Sequence, residues 1–519
     1  MVTDEGEVIT ALTGSETTAW DQEDNPGTWE SDQPTVLLKQ GNSCGGKGLT
    51  GVPESEGKHT LHTEAGSSVE TRLGILTEKA RANPKLRFTS LAHYLNEDFL
   101  KGCFKEVRRK KAPGGKDKAP GVDGMGAEEY GRNLETNLKG LVARMKAKTY
   151  WPQPVRRAYI PKPDGNKRPL GVLAVEDRIV QLGTAKILSA IFEADFSENS
   201  YGFRPKRTPH QALGEIDRAV MTKPVNYVVD MDIEKFFDTV SHEWMMKFLG
   251  VRVSDPSLMR LVARFLKSGV MEDGKLSATE IGTPQGGNLS PVLSNIFLHY
   301  VLDLWFEKKV KPTLKGYSEL FRFADDFVVC FERQEEAEAF GKLLRERLEK
   351  FGLKVSEKKS RTLEFGRKAW KKSQQGDGKV ETFDFLGFTH YCDKTRKGAF
   401  KLGRKTSYKK LRAKLTAANL WLKSIRNATK LTEWWPVFQS KLRGHYNYFG
   451  VSGNMREMKT FYQRTERMAF KWINRRSQKR SFTWEEFGRF LRWNPLPQPR
   501  ILHNLYAQPL CVHLKRDAH

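Results

Sequence analysis

Two apolar runs that end in carboxylates set the pattern of this chain. Phe321-Arg322-Phe323-Ala324-Asp325-Asp326-Phe327-Val328-Val329 flanks an adjacent acid pair with apolar and β-branched residues, in a run short enough to be a hairpin with the acids at its turn. Tyr227-Val228-Val229-Asp230-Met231-Asp232-Ile233-Glu234-Lys235-Phe236-Phe237-Asp238 is a second apolar strand ending in acids. Helical spacing predicts amphipathic helices from Val69 through Leu73, Leu76 and Ala80, around Leu91 to Arg108, and from about Glu128 to Lys148, where Trp151-Pro152-Gln153-Pro154 ends the last. Asp177 to Phe192 reads as a buried helix, and Glu335 to Lys350 as a surface one. Thr208-Pro209 and Ser290-Pro291 are placed as cap and first residue of further helices. Beyond Gly352 a strand carrying lysines is expected, and Glu381 to Tyr391 alternates aromatic residues like one arm of another hairpin. From about Lys401 the period is helical, with Leu411, Leu415, Leu422 and Ile425 on one stripe and Met458, Phe461, Thr465, Met468 and Trp472 on another.

Charge changes the picture from a fold to a partner. The chain carries a formal net charge of +26, yet residues 1–70 hold 13 acids against 3 lysines, so the remainder stands at +36. A basic body of this size points to a polyanion, most simply nucleic acid. Residues 1–68, rich in Gly, Ser, Thr and acids without a sustained period, read as a disordered acidic leader. Cys44, Cys103, Cys330, Cys392 and Cys511 show no C-x-x-C spacing, which argues against a zinc module or a disulfide framework and for a reducing compartment. No stretch is apolar enough to span a bilayer, so a soluble, unexported protein with no membrane partner is expected.

An Asp-Asp dipeptide alone is usually a solvated turn. Its company here alters that reading. Two like charges about 4 Å apart repel by roughly 4 kcal/mol at an effective dielectric near 20, so the pair calls for a cation. A third carboxylate from the Asp230–Asp232 strand would complete a hard, oxygen-rich site suited to Mg²⁺ and to two-metal phosphoryl transfer. Strand parity puts Asp230 and Asp232 on the same face and does not choose between them. Lys162 and Arg168, flanking an Asp164-Gly165 turn, suit a triphosphate, and the glycines of Ile281-Gly282-Thr283-Pro284-Gln285-Gly286-Gly287 allow backbone to approach a bulky ligand. Arg464, Arg467, Lys471, Arg475, Arg476, Lys479 and Arg480 accompany the last apolar stripe. With Trp434, Trp435, Tyr446 and Tyr448 they suit RNA, which is recognised by phosphate contacts and aromatic stacking.

Taken in order, Tyr159-Ile-Pro-Lys-Pro-Asp-Gly165, Tyr201-Gly-Phe-Arg-Pro205, Gln285-Gly-x-x-x-Ser290-Pro291, Phe323-Ala-Asp-Asp326 and Phe385-Leu-Gly-Phe388 resemble the reverse transcriptases, and among them those encoded by group II introns. Leu442-Arg-Gly-His-Tyr-Asn-Tyr-Phe-Gly-Val451 is similar to that family's thumb and maturase region. The resemblance implies an α+β, right-hand polymerase: N-terminal extension and fingers over 69–225, a βαββ palm over 226–395, and an all-α basic thumb and maturase domain over 396–519. It implies two Mg²⁺ held by Asp232, Asp325 and Asp326 with the backbone of Ile233, and the family spacing to Phe236-Phe237 selects Asp232 over Asp230. Phe236 would crowd a ribose 2′-OH. Lys162 and Arg168 would hold the triphosphate, Gln285 would line the nucleotide site, and Lys359 would approach the leaving phosphate unless it, like Lys358, is merely solvated.

The partners implied are intron RNA as template, a DNA primer or target, and dNTPs, in a cytoplasmic ribonucleoprotein of a bacterium. Splicing assistance and retrotransposition belong to the same expectation. Phe323 stands where the family more often has Tyr, which leaves both acids intact. No paired-cysteine endonuclease pattern follows Pro495-Leu-Pro-Gln-Pro499, so second-strand cleavage is not expected of this chain. A reverse transcriptase domesticated for defence or repair, and an RNA-binding splicing factor whose polymerase site has decayed, are the alternative readings; the intact acids weigh against the latter.

Overall fold

The computed structural model describes residues 69–109, 119–161, 167–272, 275–277, 281–282, 286–357, 360–376, 378–476 and 481–506. The acidic leader, residues 110–118, and Lys479 and Arg480 lie outside the described residues. Two units separate, one of residues 1–46 and 159–168, the other of 47–158 and 169–519. Of the first, only 159–161 and 167–168 are described, all in strand.

Within the second unit the fold is α+β. The Val175–Phe192 helix is buried on nearly every side, Asp177, Arg178 and Gln181 included, with the Val69–Ala82 and Glu97–Arg109 helices packed on it. Gly183 makes the approach of Glu97–Arg109 possible, since a Cβ there would stand 3.1 Å from Phe99 Cε1 and 2.8 Å from Leu95 Cδ2 just before that helix. The helix predicted from Glu128 is broken at Asn133 into Ala127–Arg132 and Leu134–Lys146. Asp255 caps the Pro256–Leu266 helix by accepting from Ser257 and Leu258, and its second oxygen accepts from the backbone of Leu91 (2.5 Å) and Ala92 (2.7 Å). One carboxylate thereby joins segments more than a hundred and sixty residues apart. Thr208 and Pro209 open the Pro209–Thr222 helix as predicted, with a full capping box to Gln211. Ser290 does not cap; it is the first residue of the Ser290–Leu298 helix, behind Leu289, whose side chain has no donor or acceptor to offer.

A four-stranded antiparallel sheet lies at the centre, ordered Ser318–Phe323, Asp326–Phe331, Tyr227–Asp232, Arg361–Glu364. The register pairs Val228 with Cys330, Asp230 with Val328 and Asp232 with Asp326. Alternation therefore puts Val228, Asp230, Asp232, Asp326, Val328 and Cys330 on one face. Met231 lies on the other, against Gly341 of the Gln334–Lys350 helix. Among the described residues, the lysine strand expected after Gly352 shows a single bridge, Val355 to Ile233, and the regular strand begins at Arg361. The aromatic segment is a whole hairpin rather than one arm, because Leu386 (φ +51°) and Gly387 (φ +78°) make the left-handed turn between Phe383–Phe385 and Phe388–Lys394.

The apolar end of the acid-bearing face continues into one buried cluster. It runs from Val228, Val328 and Leu363 through Phe383, Phe385 and Phe388 to Trp434, Phe438, Met458 and Phe461 of the C-terminal helices. Those helices are Tyr408–Ile425, Leu431–Phe449, Met455–Ile473 and Trp484–Trp493. Both predicted stripes are inward: Leu415, Leu422, Met458, Phe461, Thr465 and Trp472 are buried, and Leu411, Ile425 and Met468 pack partly buried against them. Buried Arg404, paired with Asp217, ties the strand Phe400–Thr406 to the Pro209–Thr222 helix. Cys103, Cys330 and Cys392 carry free thiols.

Candidate active site

The acid turn is tighter than its sequence required. Phe323 and Asp326 are paired across the hairpin, so Ala324 and Asp325 alone form the turn, with Ala324 in the left-handed region at φ +59°. Asp325 is at the tip and Asp326 opens the returning strand. Asp232 lies directly opposite Asp326 on the neighbouring strand, whereas Asp230 faces Val328 on one side and Arg361 on the other. The Asp232 carbonyl accepts from Ser356 N–H at 2.8 Å, which holds the strand end as the chain leaves through Ile233.

Electrostatics follow from that placement. Burial, and then the charges of Asp325, Asp230 and Asp232, push the Asp326 carboxyl well above the usual range; a 3.4 Å hydrogen bond from Leu386 N–H opposes them weakly. Asp230 is pushed up to about 7, chiefly by burial, with Arg361 (3.9 Å) opposing and Asp384 and Asp232 adding. A concentration of buried negative charge is what a divalent cation would relieve, and the donors are hard carboxylate oxygens suited to Mg²⁺. In this conformation, no group of three or more His, Cys, Asp or Glu among the described residues is drawn together as a closed metal cluster.

The remaining predicted residues divide three ways. Ile233 is buried and bridged to Val355. Phe236 begins a short helix, Phe236–Thr239, just after Lys235 turns left-handed (φ +45°). Its ring is only 2% exposed and meets Phe297 edge-on, so little of it faces solvent. Lys162, Gln285 and Lys359 lie outside the described residues, and of Arg168 only the backbone, in the Lys167–Val172 strand, is described.

Sequence reasoning missed what lies beneath the turn. Arg322 alternates away from the acids, and its side chain is fully buried. It donates to both oxygens of Asp303 (2.7 and 2.5 Å), to Asn295 Oδ1 (3.0 Å) and to the Ala324 carbonyl (2.8 Å). Asn295 in turn donates to Gly202 O at 2.6 Å, and a Cβ on Gly202 would collide with Ala324 N. The Tyr201-Gly-Phe-Arg segment, one of the motifs that carry the family resemblance, thus packs on the acid turn. The one available signal was an arginine interrupting an apolar strand, which exposure would have explained equally well.

On the C-terminal helices, Arg464, Arg467, Lys471 and Arg475 are exposed and Arg476 half-buried. Arg464, Arg467, Met468 and Lys471 line, with Asn419, an open cavity of about 390 Å³ between two helices. Lys471 (5.2 Å), Arg475 (5.8 Å) and Arg426 (4.8 Å) lie over the buried Trp472 ring. The aromatics proposed to stack on RNA are corrected by the structure. Trp434, Trp435 and Tyr446 are at most 3% exposed and belong to the core, and Tyr448 donates its hydroxyl to Leu386 O at 2.9 Å. Large rings on an amphipathic helix satisfy the hydrophobic effect first.

Residues 160–390 match the reverse transcriptase (RNA-dependent DNA polymerase) family. Protein YkfC of Escherichia coli K12 is 39% identical over 183 residues, 35% of this chain and 48% of its own. The group II intron-encoded protein LtrA of Lactococcus lactis is 38% identical over 178 residues, 34% of this chain and 29% of its own. A putative COX1/OXI3 intron 1 protein of Saccharomyces cerevisiae is 35% identical over 196 residues, 36% and 23% respectively. The matched stretch covers less than half the length of each relative.

Proposed function

We infer that this chain, whose residues 160–390 are a reverse transcriptase domain like that of group II intron-encoded proteins, is an RNA-directed DNA polymerase that also binds intron RNA to assist splicing and mobility. The supporting observation is the register that sets Asp232 opposite Asp326 beside the Asp325 turn. A fingers region over 69–225, a palm over 226–395 and a thumb over 396–519 are the divisions this reading assigns; the all-α expectation for the last is corrected by the Phe400–Thr406 strand, and its helices begin at Tyr408. A cytoplasmic bacterial ribonucleoprotein is the setting it implies; no helix among the described residues is long and apolar enough to cross a membrane.

In the proposed reaction a primer 3′-oxygen attacks the α-phosphorus of a dNTP and pyrophosphate leaves. Asp232, Asp325 and Asp326, with the Ile233 backbone, would hold two Mg²⁺, which when bound supply an activated 3′-oxygen and charge neutralisation at the phosphate. The hairpin fixes Asp326 by backbone pairing and carries Asp325 on its two-residue turn, and the facing strand fixes Asp232, so none depends on a long loop for its position. Lys162, Arg168, Gln285 and Lys359 are assigned to the nucleotide by motif position, and Phe236 to sugar selection. Arg464, Arg467 and Lys471 on the Met455–Ile473 helix, with Arg475 and Arg476 in the turn just after it, offer a cationic surface for intron RNA.

The test is primer extension by the purified full chain on an RNA template with a DNA primer, dNTPs and Mg²⁺. Extension by the wild type and none by Asp326→Asn is the expected result. Absence of extension by the wild type, or equal extension by the variant, would overturn the reading.

A further inference from the structure

We propose that Arg322 is a positioning residue for the acid turn: clamped by Asp303 and Asn295, its guanidinium fixes the Ala324 carbonyl and so holds Asp325 and Asp326 in place. This deepens the polymerase reading and rests on it for the identity of the acids. The geometry goes beyond an ordinary buried ion pair. A pair would need only the two bonds to Asp303, whereas Arg322 spends Nη1 on Asn295 and on Ala324 O, a turn carbonyl two residues along its own strand. Ala324 adopts a left-handed conformation that residues with a Cβ seldom enter, so something must hold it there. Arg322 holds it from below. From the side, Gly202 presses on Phe323 and Ala324, with its own carbonyl fixed by Asn295.

The helix supplying these partners is adapted to the task. Asn295 lies on Ser290–Leu298, and Asp303 closes the wide turn His299–Asp303, where the α-helical repeat loosens to a π-helical one. Each π turn carries an extra residue, which shifts the face that later residues present. Asp303 and Arg322 are both fully buried, and their charges offset one another. Arg322 therefore acts on the acids through geometry, and a lysine, which retains the charge but lacks the planar fork, should not replace it.

The test uses the full chain and two readouts, steady-state primer extension and Mn²⁺ binding without nucleic acid followed by electron paramagnetic resonance of the free ion. Arg322→Lys is expected to lower kcat and to weaken Mn²⁺ binding by roughly 10- to 100-fold, with little change in KM for dNTP or in RNA affinity. Adding Ala324→Gly, which enters the left-handed region freely, should recover about threefold or more of both losses. A merely destabilised core would not be rescued by that glycine. If circular dichroism shows that Arg322→Lys does not fold, Asp303→Asn with and without Ala324→Gly carries the same comparison. A folded variant with wild-type kcat and Mn²⁺ affinity, or a loss that Ala324→Gly leaves untouched, overturns the proposal. Failure of the wild type to extend primers would sink the polymerase reading alone, since Mn²⁺ binding would still decide what Arg322 does.

Discussion

The acid turn and the cationic helix are built on opposite plans. At the turn, every element that sets position is internal: the cross-strand register, the buried Arg322 with Asp303 and Asn295, and the bare backbone of Gly202. On Met455–Ile473 the cations stand on the water side of a helix whose other face, Met458, Phe461, Thr465 and Trp472, is core. Phosphoryl transfer demands placement to a fraction of an ångström, so its carboxylates need a rigid polar scaffold. Gripping a polyanion demands summed charge at modest precision, which exposed flexible side chains supply. The contrast implies that single changes should be severe at the turn and graded on the helix.

The largest expected effect is at the carboxylates. Asp325→Asn or Asp326→Asn should fold yet lose roughly 10²–10⁴-fold in primer-extension rate, as the metal-holding role proposed for these carboxylates requires. The same Asp325 variant should keep intron RNA affinity and splicing assistance. Loss of both activities together, in a splicing assay at reduced Mg²⁺, would break the comparison. Next comes Gly202→Ala, whose methyl would collide with the Ala324 backbone. Displacing the turn by about an ångström should cost up to about 100-fold in kcat while RNA binding stays unchanged. A fully active Gly202→Ala enzyme would mean that the turn can yield.

On the helix and the turn after it, Arg467→Glu, Lys471→Glu and Arg475→Glu together should weaken RNA binding and flatten its log-log salt dependence by roughly 0.7–0.9 for each phosphate no longer neutralised. Repulsion from the introduced acids weakens binding further. Each single reversal should give only part of the effect, and a salt titration showing wild-type slope for the triple variant would remove this helix from the RNA interface. The smallest effect in rate is expected at Phe236, where Ala or Val should admit ribonucleotides while dNTP use persists. Its near-complete burial against Phe297 makes the test pointed. Unchanged discrimination between dNTP and rNTP would make this ring core and nothing more.

Much of the arrangement was legible in residue order. Alternation and acid placement fixed the hairpin around Asp325 and the strand of Asp232, and the cap at Thr208 was read from two residues, because these features depend on neighbours a few positions away. Helical spacing located the C-terminal stripes for the same reason. Where prediction failed, a long-range contact decided. Trp434, Trp435 and Tyr446 have the chemistry to stack on bases, but a core built from distant segments claimed them. Among the described residues, the expected lysine strand was reduced to one bridge at Val355, and the regular pairing moved to Arg361–Glu364.

The choice between Asp230 and Asp232 shows the boundary most clearly. Their parity is the same, and composition treats them alike. The family resemblance favoured Asp232 through its spacing to Phe236-Phe237, and the register between strands nearly a hundred residues apart sets Asp232 beside Asp326 and leaves Asp230 against Arg361. Arg322 lies on the same side of that boundary. Its partners Asn295 and Asp303 precede it by 27 and 19 residues, and Gly202 lies farther still. Which segments become strand, helix or acid turn was already written in the order of residues, since local sterics and periodicity settle it. Which carboxylates meet, and what holds them, came from the packed chain, because burial and register exist only once distant segments are in contact.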